Sequence, residues 1–233
     1  QKNGRLLKRW RKGKAGLPAH LEDYAFLIQG LLDLYEASFE VKYLRQAIEL
    51  VNLSLKHFED REEGGFFLTA DDGEKLLIRA KEIYDGAIPS GNSVMALNLL
   101  RVHKITGKQK YLNSSENLFS AFSGFLEKNP QGAEVLLHAL DFKLSPPKEI
   151  VIVGELGSKE TSQLIEAINE NFIPGKILLF RPTGTEEAEI TKISPFLKNL
   201  NLVNGKPAVY ICENQTCQLP ETDPKKVVQA LTK

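Results

Sequence analysis

Cysteine is nearly absent. The 233 residues contain only Cys212 and Cys217, which excludes the disulfide framework of a small secreted domain and favours a reducing compartment. No run approaches the roughly 20 consecutive apolar residues needed to span a bilayer. The polar start Gln1-Lys2-Asn3-Gly4 has no signal-peptide core behind it, so a cytoplasmic protein with no membrane partner is expected. An initiator Met is missing, as truncation, processing or a start outside this sequence would each leave it. Net charge is missing as well: 30 Lys and Arg balance 30 Asp and Glu, leaving no field that would hold a polyphosphate backbone, so no nucleic-acid partner is expected. The one basic cluster, Arg5 through Lys14, reads as a solvated connecting segment. Histidine is scarce too. His20, His57, His103 and His138 show no metal-ligand spacing, so neither a metal nor a cofactor is expected.

What is present, 42% hydrophobic and 26% charged side chains, suffices for one sizeable core or two smaller ones. From Leu21, apolar residues recur at helical spacing through Tyr35, and Phe26, Leu27 and Leu34 make the reverse side apolar, which predicts a helix buried on two sides. A second helix is predicted from about Val41 to Phe58, a third from Ser93, a fourth along Tyr111 to Leu126, and a short fifth around Glu134 to Leu140. These read as helical hairpins in series. After Pro146-Pro147 the pattern changes to short β-branched strands, Ile150–Val153, Lys176–Phe180 and Ala208–Cys212. They alternate with helical stretches from about Glu160 to Asn171, from Glu186 to Leu200 and from Pro224. Continuous apolar strands separated by helices predict a small parallel three-stranded sheet. The expected fold is therefore mainly α with a C-terminal α/β part, divided into residues 1–147 and 148–233.

The segment Arg79 to Ser93 carries more polar equipment than a connection between helices needs. In one reading its glycines and proline shape a turn, Ser90 or Asn92 caps the third helix, and Arg79 pairs with Glu82 or Asp85. In the other, Asp85 or Glu82 acts as general acid or base while Arg79, Lys81, Ser90 and Asn92 bind a hydroxylated substrate. Glu22 and Asp23 stand at the start of the first helix, where acidic residues complement the helix dipole, and Glu22 is a further candidate to bind substrate. Asp23 would equally suit glycoside chemistry, which usually needs a second carboxylate. Cys212 and Cys217 have four residues between them, against two in a thioredoxin-type redox pair, and a zinc site would need further ligands. That spacing allows a disulfide, and a buried Cys212 with a freer Cys217 is the simpler expectation. Val153-Gly154-Glu155-Leu156-Gly157-Ser158 matches no phosphate-binding fingerprint and reads as a turn followed by a helix cap.

Three motifs in order carry a resemblance that covers the chain. They are Leu21-Glu22-Asp23-Tyr24-Ala25-Phe26-Leu27, then Arg79-x-Lys81-Glu82-x-x-Asp85-Gly86-Ala87-x-Pro89-Ser90-Gly91-Asn92-Ser93, and finally Tyr210-x-Cys212-x4-Cys217-x-x-Pro220. Together they resemble the spermatogenesis-associated, thioredoxin-domain-containing family. The resemblance implies an N-terminal thioredoxin-like domain followed by an (α/α)6 toroid related to six-hairpin glycosidases and N-acylglucosamine 2-epimerases. This chain looks like the last part of such a protein, with about five helices where a toroid needs twelve. The family's presumed redox cysteines would lie in the thioredoxin-like domain, so none of that activity passes to Cys212 or Cys217. The resemblance implies a carbohydrate-like ligand in the toroid, with Asp23, Glu82 and Asp85 as acid and base groups of a glycosidase- or epimerase-like reaction. The alternative is a non-catalytic scaffold supporting the thioredoxin-like domain. The expected partner is the missing N-terminal part or a second copy of the chain.

Overall fold

The computed structural model describes residues 4–145, 147–184, 187–214 and 216–231. Gln1 to Asn3 of the polar start, Pro146 of the expected boundary and Glu186 of the expected helix start lie outside the described residues. The chain forms two compact units. The first comprises residues 1–35, 42–103 and 108–144, and the second comprises 36–41, 104–107 and 145–233.

The first unit begins with an antiparallel hairpin, β1 (Leu7–Arg11) and β2 (Lys14–Pro18), closed by Arg11 opposite Lys14. Lys12 and Gly13 both take positive φ, 49° and 75°, as a two-residue turn that follows the strand twist requires. The basic cluster is thus a β-ribbon and not a connecting segment. Five helices come next: α1 (Leu21–Ser38), α2 (Val41–His57), α3 (Gly91–Thr106), α4 (Gln109–Lys128) and α5 (Glu134–Leu144). In α1 the buried stripe is Leu21, Tyr24, Ala25, Ile28, Leu31, Leu32 and Tyr35, whereas Leu27 and Leu34 are exposed. The expectation that α1 is buried on two sides is corrected. The helix buried all round is α3, whose residues from Gly91 to Val102 are all buried even though Asn92, Ser93, Asn98 and Arg101 are polar. Periodicity misses this because the polar positions find partners inside: Asn98 Nδ2 donates to the Ala25 carbonyl (2.8 Å) and Arg101 to Asp33 (2.6 Å). Beside α1 and α2, Leu27, Leu31, Leu50 and Leu53 line an open cavity of about 540 Å³.

The second unit holds a four-stranded sheet built from β3 (Glu149–Gly154), β4 (Ile177–Pro182), β5 (Ala208–Glu213) and β6 (Thr216–Cys217), in the order β4-β3-β5-β6. β3 and β4 are parallel and joined through α6 (Lys159–Asn169), but β5 runs antiparallel to β3 and β6 antiparallel to β5. The expected parallel three-stranded sheet is therefore a mixed, four-stranded one. Strand composition reports burial and not direction: β5 is covered on its outer edge and reads as apolar as a parallel strand does. Ile150, Ile152, Leu178, Phe180, Val209 and Ile211 on one sheet face pack with Leu164 and Ile168 of α6 and with Val227 and Leu231 of α8 (Pro224–Leu231). Phe39 joins this core, its ring 5.1 Å from that of Phe180. The turn after β3 ends in a cap, as expected, with Thr161 N–H donating to Ser158 Oγ (3.3 Å). Between β4 and β5 the expected long helix is a short α7 (Glu187–Ile193) followed by a 3-10 turn, because Pro195 cannot continue the α-helical ladder. Among the described residues no helix is long and apolar enough to cross a membrane.

Candidate functional site

The polar segment 79–93 lies in the first unit, its residues 79–90 without helix or strand and its last three opening α3. Its anchor is Asn92, 1% exposed, which treats the backbone of Phe66 as a strand partner. Asn92 Oδ1 accepts from Phe66 N–H (2.8 Å), and Nδ2 donates to the Phe66 carbonyl (2.9 Å) and to the Glu82 carbonyl (2.8 Å). One side chain therefore joins three backbone groups from two loops to the first turn of α3. Ser90 is the cap of that helix, its Oγ accepting from Ser93 N–H (3.1 Å). Gly91 suits the tight space beside it, since a Cβ there would lie 3.0 Å from Leu21 Cδ2 and 3.1 Å from Glu22 N. The start of α3 thus lies close against Leu21 and the Glu22 amide at the start of α1.

Asp85 makes a second tie. Oδ1 accepts from Ser90 N–H (2.8 Å) and Oδ2 from Val135 N–H (2.9 Å), while Asp85 N–H donates to the Gly132 carbonyl (2.7 Å). The carboxylate spans the starts of α3 and α5. Glu82 contributes its backbone carbonyl to this arrangement, and its side chain is exposed. Lys81 reaches the other way, donating to Asp60 (2.8 Å) and to the Gly64 carbonyl (3.1 Å), with Glu63 at 3.4 Å. The Lys81 ammonium holds the Asp60 carboxyl below its ordinary value, against the cost of burial and with help from the Glu63 and Glu62 amides. Arg79 and Lys81 both sit over the Phe67 ring, at 4.0 and 5.5 Å from its centroid. Arg79 does not pair with Glu82 or Asp85. Its guanidinium donates to the carbonyls of Thr69 (2.5 Å) and His57 (3.3 Å).

At the start of α1, Asp23 Oδ2 accepts from His20 N–H (2.8 Å), the reciprocal half of a helix-capping arrangement. Lys8 of β1 reaches Glu22 (3.2 Å) and lies 3.9 Å from Asp23. Asp23 and Asp85 are thus each committed to a different backbone tie, and the residues expected to act together fall into two groups. Glu22 and Asp23 belong with the hairpin, and Lys81, Asp85, Ser90 and Asn92 with the loop.

Several groups lay beyond sequence reasoning. Tyr24 Oη, fully buried, accepts from Leu6 N–H (3.0 Å) and Arg5 Nε (3.1 Å), and Arg5 also pairs with Asp72 (2.6 Å). His57 Nδ1 meets Asp71 (2.8 Å) and lies 3.6 Å from Asp72. Burial raises the Asp71 carboxyl, but the hydrogen bond and charge of His57, with Arg79 nearby, outweigh it and hold the group low. His57, Asp71 and Asp72 bring ligand atoms within 4.8 Å of one another. Two exposed carboxylates beside the Arg5 and Arg79 cations form an ion-pair network and leave little charge for a metal ion. The segments at 5, 57 and 71 share no motif, so no local signal marks this network.

Cys212 and Cys217 face each other across β5 and β6 and form a disulfide. Cys212 is buried and Cys217 the more accessible, as expected, but the two are bonded and not separate thiols: the chain reverses tightly enough for Glu213 to pair with Thr216, which sets the two sulfurs side by side.

No protein-family model matches the chain. Spermatogenesis-associated protein 20 of Homo sapiens is 37% identical over 231 residues, covering 95% of this chain and 29% of that protein. Its counterpart in Rattus norvegicus is 40% identical over 205 residues, covering 88% and 26%. An uncharacterized protein of Caenorhabditis elegans is 29% identical over 209 residues, covering 90% and 28%. The chain spans less than a third of the length of these relatives. The first two support the resemblance to the spermatogenesis-associated family.

Proposed function

We propose that this chain is a non-catalytic supporting module of a longer polypeptide, and that its polar loop fastens helices instead of transforming a substrate. In this reading the five helices are hairpins of a partial (α/α)6 toroid, completed by a missing N-terminal part or by a second copy, and they support a thioredoxin-like domain. The observation that carries the reading is Asp85, whose two oxygens each accept from the backbone at a helix start. A carboxylate aimed at two fixed amides suits a tie, whereas a general acid or base needs an oxygen turned toward a substrate. The relatives, which extend far beyond the matched stretch, support the longer polypeptide.

The test is Asp85→Asn beside Asp85→Ala. Hydrogen bonds to a charged group contribute about 1.5–3 kcal/mol, so the tie predicts a clear loss of stability in both variants, larger for alanine. Unchanged stability together with loss of sugar binding or turnover would overturn the proposal.

A second reading, a carbohydrate-like ligand processed by a glycosidase- or epimerase-like reaction, draws on the network at His57. There the Asp71 and Asp72 side chains are 54% and 52% exposed and present open acceptors beside an imidazole. Calorimetric titration with a panel of neutral mono- and oligosaccharides tests it: binding that disappears in Asp72→Asn supports this reading, and no heat with any sugar removes it.

A further inference from the structure

We propose that the Cys212–Cys217 bond is a thiol–disulfide exchange site, reduced by a dithiol, and that its reduction releases the Thr216–Glu221 segment from the outer edge of β5. The inference is independent of the supporting role proposed above.

Among the described residues, β5 pairs with β3 on one side and with this segment on the other. The segment is sparsely held. β6 contributes two residues, Gln218 N–H donates to the Ile211 carbonyl (2.9 Å), and Glu221 exchanges both backbone bonds with Val209 (2.8 and 3.0 Å). Cys212 faces Cys217 and Val209 faces Glu221, so three steps along β5 match four along the segment, which carries one extra residue. That residue falls where Leu219 is 91% exposed and Pro220 has no N–H to give. The disulfide therefore fastens the segment on the turn side of a bulge, where the ladder is weakest.

The turn itself is tethered separately. Asn214, at φ 50°, accepts from Lys104 Nζ (2.7 Å), and Lys104 lies 3.9 Å from the fully buried carboxylate of Glu149. Glu149 is the register partner of Cys212 on β3. Breaking the sulfur bond thus leaves the turn anchored and frees residues 216–221 beyond it.

The two sulfurs differ in access. Cys212 is fully buried, whereas Cys217 is only partly so. An incoming thiolate reaches Cys217 Sγ. Its lone pair forms the new S–S bond, the electron pair of the Cys212–Cys217 bond departs on Cys212 Sγ, and that sulfur takes up a proton. The reductant's second thiolate then displaces Cys217, which is protonated in turn. One dithiol becomes a disulfide and one protein disulfide becomes two thiols, a balanced transfer of two electrons.

The experiment compares the oxidised chain with the chain in reduced dithiothreitol by hydrogen–deuterium exchange, with timed iodoacetamide trapping. The bond closes a short loop, of sequence separation 5, and losing that constraint loosens it by roughly 30-fold. The expected result is exchange faster by about that factor across 216–221, unchanged exchange in β3 and β4, and alkylation of Cys217 ahead of Cys212. Cys217→Ser, which leaves the buried Cys212 in place, reproduces the fast exchange without reductant. Equal exchange in both states overturns the proposal. So does a rise that extends through β3 and β4, since the bond would then hold the whole unit and not its edge.

Discussion

Replacing Asn92 by alanine removes three hydrogen bonds with one change. The amide is 1% exposed and bonds the Phe66 N–H, the Phe66 carbonyl and the Glu82 carbonyl. At about 1 kcal/mol net for each bond, and more for any partner left buried and dry, the loss is about 3 kcal/mol or slightly above. That is a large share of the 5–15 kcal/mol typical of a domain, and it lowers the melting temperature of the first unit by roughly 10 °C. Near-UV circular dichroism in a urea titration is the assay, because Tyr24, Tyr35 and Tyr111 are fully buried in this unit and report its packing. Asn98→Ala is the control. Asn98 is equally buried but makes one bond, to the Ala25 carbonyl, and its Oδ1 meets no partner among the described residues. Its loss is about a third as large. A change below about 1 kcal/mol in Asn92→Ala, or a larger one in Asn98→Ala, refutes the view that Asn92 is the main fastener of the loop.

Gly64→Ala loses more than about 2 kcal/mol in the same titration, since Gly64 has φ 79° and a methyl there would run into the Asn117 carbonyl. The Asp60 carboxyl is held below its ordinary 3.8 chiefly by the Lys81 hydrogen bond, so this tie is fully present above that value and is lost as pH falls through the lower folded one. Acid titration of Lys81→Met therefore shows a shallower fall of stability below pH 4 than the parent does, and parallel curves would contradict the assignment. Ser90→Ala costs about 1 kcal/mol as the loss of a helix cap, read from the same urea curves.

The helices were legible because their buried stripes are periodic: α2 is predicted from Val41 and ends at His57, and α5 is predicted from Glu134, where it begins. The hairpin β1–β2 was not, because Arg9, Trp10 and Arg11 alternate no apolar face and Leu17 is exposed. The direction of β5 was hidden as well, since Ala208 to Cys212 is buried whichever way it runs. In the loop the polar residues stood out, but their partners did not. Asp60 lies 21 positions from Lys81 and Phe66 lies 26 from Asn92, so the bonds that join these segments leave no local pattern in the sequence.

The second unit borrows residues 36–41 and 104–107 from a stretch of chain that otherwise builds the first. During synthesis from the N-terminus, Phe39 and Ile105 leave the ribosome long before the strands and turns that receive them. Phe180 must be made before the Phe39 ring has its stacking partner, and Ser194 before the Ile105 carbonyl receives its hydrogen bond (2.6 Å). A nascent chain that has emerged only as far as Leu144 would therefore hold its five helices with Phe39 still uncovered, a state in which a chaperone has something apolar to grasp.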